Sequence, residues 1–93
     1  MGKYIVNLSD KAGKDLKKTY KSGDKKSIKR IERIFKELID NPYEGIGKPE
    51  ALKYQYKGFW SRRINEKDRL IYEVKEDIVS VFIVSAMGHY DDK

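Results

Sequence analysis

The sequence predicts an α+β domain: an N-terminal strand, a two-helix hairpin, then an antiparallel twisted sheet packed against the helices. Three observations predict it. A β-branched and aromatic run opens the chain, an apolar stripe of helical period follows, and from Leu52 onward the period changes to the alternation of strands. A chain of 93 residues suits one hydrophobic core and is too short for two, so residues 1–93 are read as a single domain.

Residues 3–8 (KYIVNL) have the composition of a strand, and Ser9 or Asp10 can cap the helix that follows by accepting its orphan backbone N–H groups. That first helix runs to about Tyr20 with Ala12, Leu16 and Tyr20 on one face, and Gly23 ends it. The second helix is the clearest element. Ile28, Ile31, Ile34, Phe35, Leu38 and Ile39 form an apolar stripe, Lys29, Arg30, Glu32, Arg33 and Lys36 face water, and Asn41-Pro42 stops the helix. Leu52–Lys57, Phe59–Asn65, Arg69–Lys75 and Ile78–Met87 read as strands of consecutive antiparallel hairpins, with turns at residues 65–68 and 75–77. The last strand is apolar on both faces, which places it inside the sheet.

Lys and Arg total 21 against 15 Asp and Glu, a formal charge of +6 that favours a polyanionic partner. Residues 48–69 carry 7 basic and 3 acidic side chains in a span that also holds Tyr54, Tyr56, Phe59 and Trp60. Cations there can neutralise phosphates, and rings either stack on bases or fill the core of a sheet. The chain has no cysteine, which excludes disulfides and thiolate metal sites, and one histidine makes a conventional zinc site improbable. No metal or cofactor is expected. The longest apolar run, Ile78–Met87, is far short of a membrane span, and the N-terminus has no signal-peptide core, so a cytoplasmic location without membrane contact is expected.

Strand alternation puts Phe59, Ser61 and Arg63 on one face and Trp60, Arg62 and Ile64 on the other. Trp60 and Ile64 make the better core pair, which leaves Arg63 for a ligand face and Arg62 as a partly covered, snorkelling stem. Cleaving RNA without a metal requires a base for the 2'-hydroxyl, an acid for the leaving 5'-oxygen, and cations for the charge that grows on the phosphate. Glu50, projected by a Gly- and Pro-containing loop, suits the base; His89 suits the acid if an anion keeps it protonated. Arg69 and Arg63 suit the phosphate, and Tyr90 can stack on a base or orient the phosphate. Structural readings stand beside these: Lys48-Pro49-Glu50 as a loop entering a strand, Arg69 as a surface residue paired with Glu66 or Asp68, His89-Tyr90 as a tail, and Asp91 and Asp92 as an exposed acidic end.

Taken in order, the segments at residues 44–53 (EGIGKPEALK), 58–65 (GFWSRRIN), 68–72 (DRLIY) and 89–90 (HY) resemble the YoeB (Txe) toxins of the RelE superfamily. The likeness spans nearly the whole domain. It implies a RelE-like fold and a bacterial toxin of a type II toxin-antitoxin pair that cuts messenger RNA in the ribosomal A site. By the resemblance Glu50 is the general base, Arg69 stabilises the transition state, His89 is the general acid and Tyr90 assists. Lys53 and Arg63 bind RNA phosphates, and Lys48 and Arg62 complete the candidate RNA contacts. A homodimer and a YefM-like antitoxin that displaces the catalytic end are implied as partners, with message on the ribosome as substrate. The chain departs from the family pattern by continuing through Asp91-Asp92-Lys93 and by carrying Ala86-Met87-Gly88 where a basic residue is often found. A module that binds RNA or the ribosome without cutting, and a protein-interaction domain for an acidic partner, are the alternative readings.

Overall fold

The computed structural model describes residues 3–88. Its elements are β1 (Ile5–Leu8), α1 (Asp10–Ser22), α2 (Lys25–Asp40), β2 (Glu50–Ala51), β3 (Phe59–Arg63), β4 (Arg69–Lys75) and β5 (Ser80–Ser85), with 3-10 turns at Tyr54–Tyr56 and Glu76–Ile78. The five strands form one sheet in the order β1-β5-β4-β3-β2. The three pairs from β2 to β5 are antiparallel, whereas β1 runs parallel to β5, the two helices lying between them in sequence. The last strand therefore sits inside the sheet, as its two-sided apolar pattern predicts.

Local chemistry sets the helix boundaries. Ser9 caps α1 by accepting the Ala12 N–H at 3.0 Å and donates its own hydroxyl to the Val84 carbonyl at 2.8 Å, which ties the helix start to β5. Gly23 closes α1 in the left-handed region at φ 77°, and Asp24 at once caps α2 through the Ser27 N–H and hydroxyl. The core joins Ala12, Ile31, Ile34 and Leu38 of the helices to Ile64, Leu70, Tyr72, Val81 and Ile83 of the sheet, with Tyr4 and Ala86 at its ends.

Two expectations about elements are corrected. On α1 the buried face is Ala12, Asp15 and Thr19, while Tyr20 is 46% exposed. The expected apolar face is rotated because Asp15 is drawn inward by a backbone partner described below. The run Leu52–Lys57 is not a strand: β2 is only Glu50–Ala51, and the Leu52 N–H donates to the Phe59 carbonyl at 2.9 Å, closing a tight excursion through the 3-10 turn. Its tyrosines signal β-propensity, but Tyr54 is 83% exposed and has no sheet surface to pack on.

Candidate active site

The loop from Asn41 to Pro49 delivers Glu50 to the sheet, and one buried guanidinium holds that loop. Arg62 is fully buried. It pairs with Glu37 of α2 at 2.7 Å, donates to the Tyr72 hydroxyl at 3.1 Å, and reaches the carbonyls of Glu44 at 2.7 Å and Asn41 at 3.4 Å. Tyr72 donates its own hydroxyl to the Pro42 carbonyl at 2.7 Å, and Glu37 also accepts the Ile46 N–H at 2.9 Å. The expectation of Arg62 as a snorkelling stem and RNA contact is therefore corrected: every arm of its fork is spent on the protein interior. Sequence reasoning did not connect Tyr72 or Glu37 with Arg62: Tyr72 was noted only within the 68–72 segment, and Glu37 lies in no motif.

Glycines at two positions let the loop lie this close. Gly45 has φ 136°, and a Cβ there would stand 2.0 Å from Glu37 Oε1. Gly47 has φ 83°, and its Cβ would meet the Arg63 carbonyl at 2.8 Å, because the Gly47 carbonyl accepts the Arg63 N–H at 2.7 Å. The loop is thus stitched to β3 at the residue just before Lys48, which itself adopts φ 50°.

Beyond this anchor, pairing fixes the chemistry. Glu50 lies opposite Ser61, Ser61 opposite Ile71, and Arg63 opposite Arg69, so Glu50, Arg63 and Arg69 share the sheet face turned away from Arg62 and Ile64. They line one open cleft of about 320 Å³ with Lys48 and Pro49. Glu50 Oε1 stands 3.9 Å from Arg69 Nη1, and their side chains are 62% and 25% exposed. An ion pair this long and wet contributes about 0 to 1 kcal/mol, so an incoming anion can displace it easily. Arg63 and Arg69 are like charges directly across a strand pair, an arrangement that costs energy unless an anion sits between them. Lys53 is exposed beyond β2 and does not line the cleft.

The chain leaving β5 meets the backbone of one cleft residue. Tyr72 pairs with Ile83 but Ile71 with Ser85, so Val84 is the extra residue of a bulge that bends β5 just before Ala86. The Arg69 N–H then donates to the Gly88 carbonyl at 2.8 Å. His89 and Tyr90 lie outside the described residues, but the last described residue is thus bonded to the backbone of Arg69.

A second, larger groove of about 780 Å³ adjoins the first through their shared Arg63. Lys26, Lys29, Arg30 and Arg33 of α2 line it with Arg63, against Asp24 and Glu66. Asp24 is already committed to its cap, whose Ser27 hydroxyl and N–H hold its carboxyl below the usual range. Lys29, Arg30 and Arg33, read from sequence only as a solvated face, form with Lys26 one wall of a basic groove. Among the described residues no group of three or more His, Cys, Asp or Glu side chains is placed to hold a metal ion, and no helix is long and apolar enough to cross a membrane.

Comparison with known proteins agrees with this architecture. A family model described as the YoeB-like toxin of bacterial type II toxin-antitoxin systems matches residues 9–90. "Toxin YoeB" of Escherichia coli O6:H1 is 48% identical over 67 residues, covering 72% of this chain and 77% of that protein. The YoeB dimer of Staphylococcus aureus superposes with a TM-score of 0.78 at 38% identity, over 95% of this chain and 99% of that one. The heterotetrameric YoeB-YefM toxin-antitoxin complex of the same organism gives 0.76 at 39% identity, over 94% and 98%.

Proposed function

The chain belongs to the YoeB-like toxins of bacterial type II toxin-antitoxin systems, and on that footing we propose that it is a metal-independent endoribonuclease that cuts messenger RNA in the ribosomal A site. The observation that carries this reading is the meeting of Glu50 with the cross-strand arginines Arg63 and Arg69 in one cleft. A phosphodiester seated between the two guanidiniums relieves their repulsion and draws Arg69 away from Glu50, freeing the carboxylate. Glu50 then takes the 2'-hydroxyl proton, the 2'-oxygen attacks phosphorus, and Arg63 and Arg69 hold the charge of the pentacovalent state. The 5'-oxygen leaves with a proton from His89, giving a 2',3'-cyclic phosphate and a 5'-hydroxyl end. Tyr90 orients the phosphate beside it.

A cleft of about 320 Å³ holds little more than one sugar-phosphate link, and Glu50 is largely exposed. Such a site does not by itself align the in-line attack, which supports an mRNA conformation supplied by the ribosome. The α2 groove, entered past Arg63, suits the flanking strand through phosphate contacts, with Lys48 as a further cation in the adjoining cleft. The assemblies of the Staphylococcus aureus relatives support a homodimer and a YefM-like antitoxin as partners of this chain, acting in the cytoplasm where ribosomes work.

The test is cleavage of ribosome-bound message, with a chelator present, by the wild type and by Glu50→Ala, Arg69→Ala and His89→Ala. Each acid-base loss should slow cutting by about 10² to 10⁴, and fresh 5'-hydroxyl ends should map to the A-site codon. Wild-type rates in all three variants, or stalled but intact message, would refute the nuclease in favour of a binding module.

A further inference from the structure

Two buried carboxylates outside the cleft have no part in the chemistry above, and both are spent on the same short segment. Asp15 and Asp68 are 6% and 7% exposed. Asp15 Oδ2 accepts the Ala86 N–H at 3.0 Å across a sequence separation of 71, and takes the Lys11 ammonium at 2.9 Å. Asp68 Oδ1 accepts the Gly88 N–H at 2.9 Å. Its other oxygen takes the Asn65 amide at 3.2 Å, and Asn65 in turn receives the Asp68 N–H at 2.8 Å and donates to Ser27 of α2 at 2.8 Å. With the Arg69 N–H on the Gly88 carbonyl, the segment after β5 is gripped at three backbone atoms from α1, the β3–β4 turn and β4.

We propose that Asp68 and Asp15 are positioning residues that hang the C-terminal segment so that His89, the next residue after Gly88, is delivered to the Arg69 end of the cleft. The inference rests on the reading of His89 as general acid. The geometry fits that task better than simple tethering. The β5 bulge at Val84 redirects the strand, and Ala86 is then caught by a carboxylate from below the sheet. Gly88 takes φ 71° in open space, where a Cβ would meet nothing within 4 Å, so its glycine serves the turn of the backbone and not a close approach. Asp68 is the sequence neighbour of Arg69, so one turn of chain fixes both the cation that holds the phosphate and the segment bearing the acid. A tail merely tied down at its end needs none of this registry.

Single-turnover cleavage of ribosome-bound message by wild type, Asp68→Ala, His89→Ala and the double variant decides the matter, with folding checked by circular dichroism at the assay temperature. Asp68→Ala should lower the maximal single-turnover rate constant by on the order of 10²-fold with the half-saturating toxin concentration little changed, as misplacement of a reacting group does. The double variant should cut no more slowly than His89→Ala alone, since a positioner has nothing left to position. Losses that multiply in the double variant, or an Asp68→Ala enzyme of wild-type rate, overturn the proposal. A His89→Ala enzyme of wild-type rate instead overturns the acid assignment, and the proposal with it. If Asp68→Ala does not fold, Asp15 serves: Asp15→Asn keeps an oxygen for Ala86 and should retain most activity, whereas Asp15→Ala should lose single-turnover rate and amide-exchange protection at Ala86 together. Equal activity of those two variants overturns the proposal as well.

Discussion

Truncating Arg62 to alanine separates a structural pin from an RNA contact. The fully buried guanidinium holds Glu37, Tyr72 and the carbonyls of Glu44 and Asn41. Its removal strands a carboxylate and two loop carbonyls, and breaking a buried pair from one side costs about 3 to 5 kcal/mol. Glu37 keeps its 3.2 Å contact with Arg33 and the Ile46 N–H, and its side chain is 23% exposed, so the low end, about 3 kcal/mol, applies. Against a total stability of about 5 to 15 kcal/mol the variant still folds, and with a urea slope of about 1 kcal/mol/M its midpoint should fall by about 3 M. Trp60 fluorescence is the assay, because this only tryptophan packs edge-on against Tyr43 of the loop at a 5.1 Å centroid distance. Arg62→Lys should fall between, as one ammonium cannot serve four acceptors. A midpoint shift below about 0.5 M together with weakened binding of an RNA oligonucleotide would refute the reasoning and restore Arg62 to the RNA surface.

Three further outcomes are expected. Gly45→Ala, which drives a methyl into Glu37 and Arg62 at a left-handed φ, should cost about 1 to 3 kcal/mol, a fall in Tm of several degrees by calorimetry; an unchanged Tm contradicts the packing. Ser61 Oγ is buried with no hydrogen-bond partner among the described residues, so Ser61→Ala should be neutral or slightly stabilising in urea unfolding. Burial would raise Asp15, but the Ala86 N–H and the Lys11 ammonium outweigh it and bring its carboxyl below the ordinary 3.8, and the hydroxyls of Tyr43 and Tyr4 bring Glu76 below 4.5. Because these folded values are depressed, their stabilisation is complete above the ordinary values and is lost as pH falls through the folded ones. Urea midpoints should therefore hold down to about pH 4.5 and decline below it, less steeply in Asp15→Asn than in the wild type.

How much of this was legible depended on whether the signal was local. Caps at Ser9 and Gly23 and the stripe of α2 are short-range and were read correctly in kind, whereas the Asp24 cap of α2, equally local, was overlooked. The turn at residues 65–68 and the face of Arg63 are also local and were read, while the register that sets Arg63 opposite Arg69 was not stated. Arg62 was not legible, because its depth depends on Glu37, Tyr72 and the loop carbonyls converging from separations of 10 to 25 residues. Asp15 was hidden for a related reason: a carboxylate at i+3 from Ala12 looks like an interruption of the apolar face until Ala86, 71 residues away, supplies its partner. A polar residue falling on an otherwise apolar face was the available clue.

The two arginines of the Ser61-Arg62-Arg63 run show why residue type alone underdetermines a site. Adjacent in sequence, they leave β3 on opposite faces; one is buried and neutralised by Glu37, while the other stays exposed opposite Arg69. The buried one holds the loop that presents Glu50, so its loss should raise the barrier to cutting as well as weaken the fold. Arg63→Ala should leave the urea midpoint within about 0.5 M of the wild type and lower the slope of log affinity against log salt for single-stranded RNA by about 0.7, the share of one phosphate contact. A change in stability without a change in that slope would mean that Arg63 too belongs to the scaffold, and the cleft would then lack the pair of cations on which the proposed reaction depends.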